Sequence, residues 1–148
     1  MVFIAEKDPG LIPKILSVIL DECINGVSLA DPDLPDMPIV YVNKAFEKMT
    51  GYSKEEVIDR NCRFLQGDNR NQEARFLLAN AIKNQTPIEV TLENFKKNGD
   101  LFYNQLKLTP LFDSKGNLLY FLGVQHDVTN LILQEKEIQK LNQKIKPN

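Results

Sequence analysis

The sequence predicts an α+β protein: a five-stranded antiparallel sheet with helices on one face, plus a flanking helix at each end. Three observations carry this. Two short strand-like runs come early, and three long alternating runs come late, with hairpin-type turns between the late ones. Helical patterns gather between the two groups, so helices and strands are segregated rather than interleaved. Both ends place apolar residues at helical spacing.

In order along the chain, residues 11–23 set Leu11, Ile12, Ile15, Leu16, Ile19 and Leu20 on one face of an amphipathic helix, with Pro13 in its first turn. Cys23 at its end reads as a small buried hydrophobe. Strands follow at about 26–30 and 38–42, joined by a Pro/Asp loop. "NKAFEKMTGY" is a short helix stopped by Gly51. "SKEEVI" opens with Ser53 and carries Glu56 three residues on, the pattern of a capping box. "NQEARFLLANAIKNQ" gives a longer helix with Ala74, Leu77, Leu78, Ala81 and Ile82 as its apolar face. Strands at about 87–96, 100–111 and 117–128 are linked by Asn98-Gly99, a tight-hairpin signal, and by a turn at 114–117. In the helical tail, Leu131, Ile138 and Ile145 recur every seven residues with Leu141 between them, a short heptad seam. The organisation is a flanking helix at 1–23, a core at 24–129 and a terminal helix at 130–148.

A chain of 148 residues, 43% apolar, is one domain's worth and buries a sizeable core. A net charge of −2 gives no basic excess for nucleic acid or an anionic membrane. Two distant cysteines and one histidine exclude a disulfide framework and a structural zinc site. No run is long enough to span a bilayer, and "MVFIAEKDPG" lacks the shape of a signal peptide. The expectation is a soluble cytoplasmic protein.

Strand alternation sorts the polar residues. Asn94 shares a face with Val90 and Leu92, Asn104 with Phe102, Leu106 and Leu108, and Gln125 with Phe121 and Gly123, while His126 points the other way. Each late strand therefore turns one amide toward its apolar face. A buried amide without partners costs a few kcal/mol. Three such amides beside a glycine fit a planar ligand with a polar edge better than they fit mutual satisfaction. Cys62 and Gln66, four residues apart, share a face if helical. Arg63, Arg70 and Arg75 follow closely, and guanidinium groups pair well with phosphate. A planar heterocycle with a phosphate tail describes flavin mononucleotide (FMN).

The segment "RNCRFLQG" resembles the flavin-binding signature of LOV (light-oxygen-voltage) domains, a branch of the PAS superfamily that includes bacterial short LOV photoreceptors. "MTGYSKEEVI", "NFKKNGDLFYNQLKLTP" and "YFLGVQHDVT" resemble LOV segments in the same order, over roughly residues 24–129. The resemblance implies a PAS fold and FMN as cofactor. It makes Cys62 the photoactive cysteine. Asn61, Gln66, Asn94, Asn104 and Gln125 match positions that hydrogen-bond the ring or ribityl chain. Arg63 matches a phosphate contact, and Arg70 and Arg75 match extra phosphate arginines of some bacterial members. Leu65, Leu106, Leu108, Phe121 and Gly123 match the apolar walls of the ring.

The family mechanism implies that blue light excites the flavin, the Cys62 thiol bonds reversibly to carbon C4a, and ring nitrogen N5 gains a proton. Gln125 must then re-orient its amide and bias the flanking helices. The implied protein is a sensor rather than an enzyme, a homodimer through its flanking helices, coupled to an effector protein. Five departures stand out: Asp59 where the family usually has glycine, Ala79 where many members have another arginine, Ser28 and Ala30 where Val and Thr are frequent, and His126. A flavin-based redox-sensing PAS domain is the alternative, since it needs no cysteine over the ring. A cysteine enzyme would need a base beside the thiol, and His126 faces away. A pure dimerisation module leaves the three amides unexplained.

Overall fold

The computed structural model describes residues 11–145, with side chains from residue 14 onward. The N-terminal decapeptide and the side chains of Leu11, Ile12 and Pro13, named in the first helical stripe, lie outside the described residues. The elements are α1 (Leu11–Glu22), β1 (Gly26–Ala30), β2 (Ile39–Val42), α2 (Lys44–Thr50), α3 (Lys54–Val57), a 3-10 helix (Cys62–Gln66), α4 (Glu73–Asn84), β3 (Ile88–Phe95), β4 (Leu101–Phe112), β5 (Leu118–Asp127) and α5 (Thr129–Ile145). They form the expected five-stranded sheet, in the order β2-β1-β5-β4-β3, with every pair antiparallel.

Local chemistry sets the boundaries. Asn43 begins α2 by accepting the Phe46 N–H at 3.1 Å and the β1 amide of Val27 at 2.8 Å. Its own amide donates to Leu20 O at 2.8 Å and Asn25 O at 3.1 Å, so one buried side chain ties α1, β1 and α2. Gly51 closes α2 at φ 76°, a left-handed turn that suits glycine. The Ser53 amide donates to Glu56 Oε2 at 3.4 Å, the return half of the predicted capping box.

Both late hairpins are looser than a two-residue turn. Lys96 N donates to Asp100 O at 2.9 Å across Lys97, Asn98 and Gly99, with Gly99 at φ 92°. Asp113 N donates to Asn117 O at 2.9 Å in the same manner, and Gly116 sits at φ 85°.

Two clusters make the core. Ile39, Val42, Phe46, Val57 and Leu65 fill one, with Cys62 and Phe64 packed against it. Leu78, Leu92, Leu106, Leu108 and Phe121 fill the other, between α4 and the sheet. Leu77, expected on the buried face of α4, is instead 47% exposed. Cys23 also departs from expectation: α1 ends one residue earlier, and the cysteine is exposed with its thiol donating to Ile19 O at 3.2 Å. Among the described residues, no helix is long and apolar enough to cross a membrane.

Candidate functional site

A cavity of about 260 Å³ lies between the inner sheet face and the 3-10 and α4 helices. The strand register explains its polar wall. Asn94 opposes Phe102, Asn104 opposes Leu92, and Gln125 opposes Leu106. The three amides therefore step diagonally across β3, β4 and β5, as alternation predicted. Asn94, Asn104 and Gln125 are all at most 3% exposed. Leu106, Leu108, Phe121 and Gly123 form the adjoining apolar wall.

The opposite wall comes from the cysteine segment. Asn61 caps the 3-10 helix by accepting the Arg63 N–H at 2.9 Å and donates to Asp36 O at 2.7 Å. Cys62, Asn61, Arg63 and Gln66 line the cavity, and Arg75 reaches it from α4. Cys62 and Gln66 were expected to share an α-helical face. The tighter winding places them farther apart around the axis, yet both face the same space.

Leu65 and Arg70 are not brought to the cavity. Leu65 is buried in the Ile39–Phe46 cluster, against which Cys62 also packs, and does not line the cavity. Arg70 is exposed; its Nε donates to Gly67 O at 3.4 Å, and its carbonyl accepts from Arg75 Nη1 at 2.9 Å. Met37, Ile39, Leu78, Ile82 and Leu92 line the cavity without having been named as site residues. Leu92 was legible, since it shares the Asn94 face, and Leu78 and Ile82 lie on the apolar face of α4. Ser28, Ala30 and Ala79, three of the departures, also line it.

The cavity wall carries two guanidinium groups, Arg63 and Arg75, and an uncharged thiol. Burial pushes the Cys62 thiol up to about 11, so at neutral pH it keeps its proton. Three buried amide oxygens, Gln66 Oε1, Asn104 Oδ1 and Gln125 Oε1, have no hydrogen-bond partner within the protein. Asn104 Nδ2 donates to Asn94 Oδ1 at 3.0 Å, so even the amide pair leaves capacity unused. Orphaned oxygens of this kind are costly unless a ligand supplies donors. A flavin does so through a ring N–H and ribityl hydroxyls, and its flat apolar body suits the leucine and phenylalanine walls. The residues present fit that group.

The PAS domain family model matches residues 25–130. Sheet order, cavity and match together define a PAS domain. A blue-light photoreceptor of Listeria innocua is 42% identical over 115 residues, covering 78% of this chain and 45% of that protein. The LOV domain of the blue-light activated histidine kinase of Erythrobacter litoralis is 43% identical, with a TM-score of 0.67 over 71% of this chain and 96% of that one. The structure of an RNA-binding light-oxygen-voltage receptor has a TM-score of 0.83 at 32% identity, covering 97% of this chain and 40% of that one. Within the PAS superfamily, the chain belongs to the LOV domains. It spans about half, or less, of the length of the curated relatives it matches.

Proposed function

We propose that this chain is a blue-light sensor that holds FMN in the cavity and bonds Cys62 reversibly to flavin carbon C4a on illumination. The observation that carries the reading is one cavity that brings a half-buried, protonated thiol together with orphaned amide oxygens on both the cysteine segment and the sheet. Relatives named as blue-light photoreceptors and blue-light-activated kinases support light sensing.

Bound there, the flavin supplies blue-light absorption and an electrophilic carbon beside a basic ring nitrogen, N5. Cys62 is the residue that would supply both the sulfur and the proton for such a bond, so that the exchange would balance with no net oxidation and its reversal would restore the thiol. A thiol that stays protonated needs no external base for this, which agrees with the lack of a histidine on the cavity wall. Gln66, Asn94, Asn104 and Gln125 orient the ring edge, Asn61 shapes the cysteine segment, and Arg63 and Arg75 attract the phosphate. Output passes through α1 and α5 to a second copy of the chain and an effector protein.

The test is an absorption spectrum before and after blue light. Purified protein should be yellow, bleach, and recover in darkness, and Cys62→Ala should keep the flavin but lose the bleaching. The alternative, a flavin redox sensor, predicts that parent and Cys62→Ala respond alike to reductant and neither bleaches reversibly.

A further inference from the structure

Gln125 has one protein partner in the cavity, and it is not another amide. Its Nε2 donates to the Ser28 hydroxyl at 2.8 Å, a bond buried between β5 and β1. Its Oε1 is buried without a partner. The register places Ser28 opposite Gly123, and Gly26 opposite Gln125. Both glycines leave room that a side chain would fill. A Cβ on Gly123 would stand 2.6 Å from Ser28 Oγ and 2.9 Å from Gln125 Nε2, and one on Gly26 would stand 3.2 Å from Gln125 Oε1. The amide head thus sits in a slot walled by backbone, with one hydroxyl as its polar contact.

We infer that Ser28 is a positioning residue that serves both orientations of the Gln125 amide. A hydroxyl carries one donor and two acceptor sites. As the amide stands, Ser28 Oγ accepts from Nε2. After a half-turn the oxygen occupies the same place, and Ser28 donates to it by rotating its O–H. An apolar residue at 28 offers neither bond and leaves a buried amide group unsatisfied in both states. Ser28 also joins the amide to β1, whose Val27 N–H is held by Asn43, the residue that binds the end of α1.

The inference rests on the flavin reading for its light-driven half only. In flavin-free protein, the side-chain amide protons of Gln125 can be followed by NMR. Ser28→Ala should speed their exchange with solvent by about tenfold, the weight of one buried hydrogen bond, and Ser28→Thr should restore the parent rate. Equal exchange in all three proteins would remove Ser28 from any positioning role. In flavin-loaded protein, the light-minus-dark infrared band of the Gln125 side-chain carbonyl, assigned with Gln125→Leu, should move to higher frequency in Ser28→Ala and return in Ser28→Thr. If Ser28→Ala bleaches normally with that band unmoved, the hydroxyl does not serve the second orientation. A parent protein that never bleaches would overturn the flavin reading and the light-driven half together, while the flavin-free exchange still decides the Ser28–Gln125 bond.

Discussion

Arg63 and Asp36 form an ion pair at the rim of the cavity, linking the 3-10 helix to the loop between β1 and β2. Asp36 stands at φ 66°, and its carbonyl also accepts from Asn61 at 2.7 Å. The guanidinium assigned to the phosphate is thus shared with a carboxylate. Both side chains are substantially exposed, so the pair adds at most about 1 kcal/mol to stability.

Asp36→Asn keeps a residue that tolerates the left-handed turn and frees the guanidinium. Its stability should change by less than about 1 kcal/mol. Its preference for FMN over riboflavin should rise several-fold, because a charge-assisted contact is no longer contested. Competitive titration of flavin-free protein with the two flavins measures this. An unchanged ratio would show that Arg63 does not contact the phosphate.

Alternation made the sheet side of the cavity legible. A period of two fixes which face Asn94, Asn104 and Gln125 share, whatever the turns do. The helical side was less legible, because the winding of a five-residue segment is set by tertiary packing. Leu65 packs in the Ile39–Phe46 cluster and Arg70 is exposed with its Nε on Gly67 O, placements that helical spacing alone does not reveal. Asn43 has no sequence signal for its role. Its four hydrogen bonds, to α1, the Asn25 linker, β1 and α2, join segments that only the fold brings together.

Cys62 should make the flavin-free protein lose stability at alkaline pH. Its thiol shifts from an ordinary 9.0 up to about 11 on burial. Below pH 9.0 both folded and unfolded chains hold the proton, so the stabilisation is complete; from there to about 11 only the unfolded chain releases it, and stability falls as pH rises. Discounted for partial exposure, the loss is about 1–2 kcal/mol. Urea unfolding of parent and Cys62→Ala across this range isolates it, since tyrosines and lysines titrate in both. At pH 8, iodoacetamide should also modify exposed Cys23 well before Cys62. Parallel curves and equal labelling would mean that its surroundings do not raise the Cys62 thiol.

Asp59 explains one departure from the family pattern. It holds φ 69° while its N–H donates to Ile39 O at 2.9 Å, so the backbone there requires a left-handed turn. Aspartate tolerates that region better than most residues, yet glycine carries no Cβ penalty. Asp59→Gly should stabilise the fold by about 0.5–1 kcal/mol after the added chain entropy of glycine is subtracted. Urea midpoints at constant m-value test it, and a destabilised variant would show that the Asp59 side chain makes a contribution larger than its backbone strain.

The last prediction concerns α5. Its root is fixed to the sheet: Val128 N donates to Tyr103 O at 2.9 Å, Tyr103 N donates to Thr129 Oγ1 at 2.9 Å, and Lys136 Nζ donates to the Tyr103 hydroxyl at 2.8 Å. Its seam has no cover within the described chain, for Leu131, Ile138, Leu141 and Ile145 are 56%, 56%, 51% and 76% exposed. A helix of 17 residues is marginal alone in water, and a second copy of the same seam is the simplest cover. Gln134 occupies the seam position one heptad before Leu141 and would hold two helices in register. Ile138→Lys should convert the dimer to a monomer at tens of micromolar, read by light scattering. Leu133→Lys, on an equally exposed residue off the seam, should leave the dimer intact. A parent protein that is monomeric, dark and lit, removes the seam as an interface. If the dimer holds, Gln125→Leu should keep the bleaching yet blunt the light-induced change in hydrogen exchange along α5. An undiminished change would route the signal around Gln125, and Tyr103→Phe then tests the root of α5 as the other path.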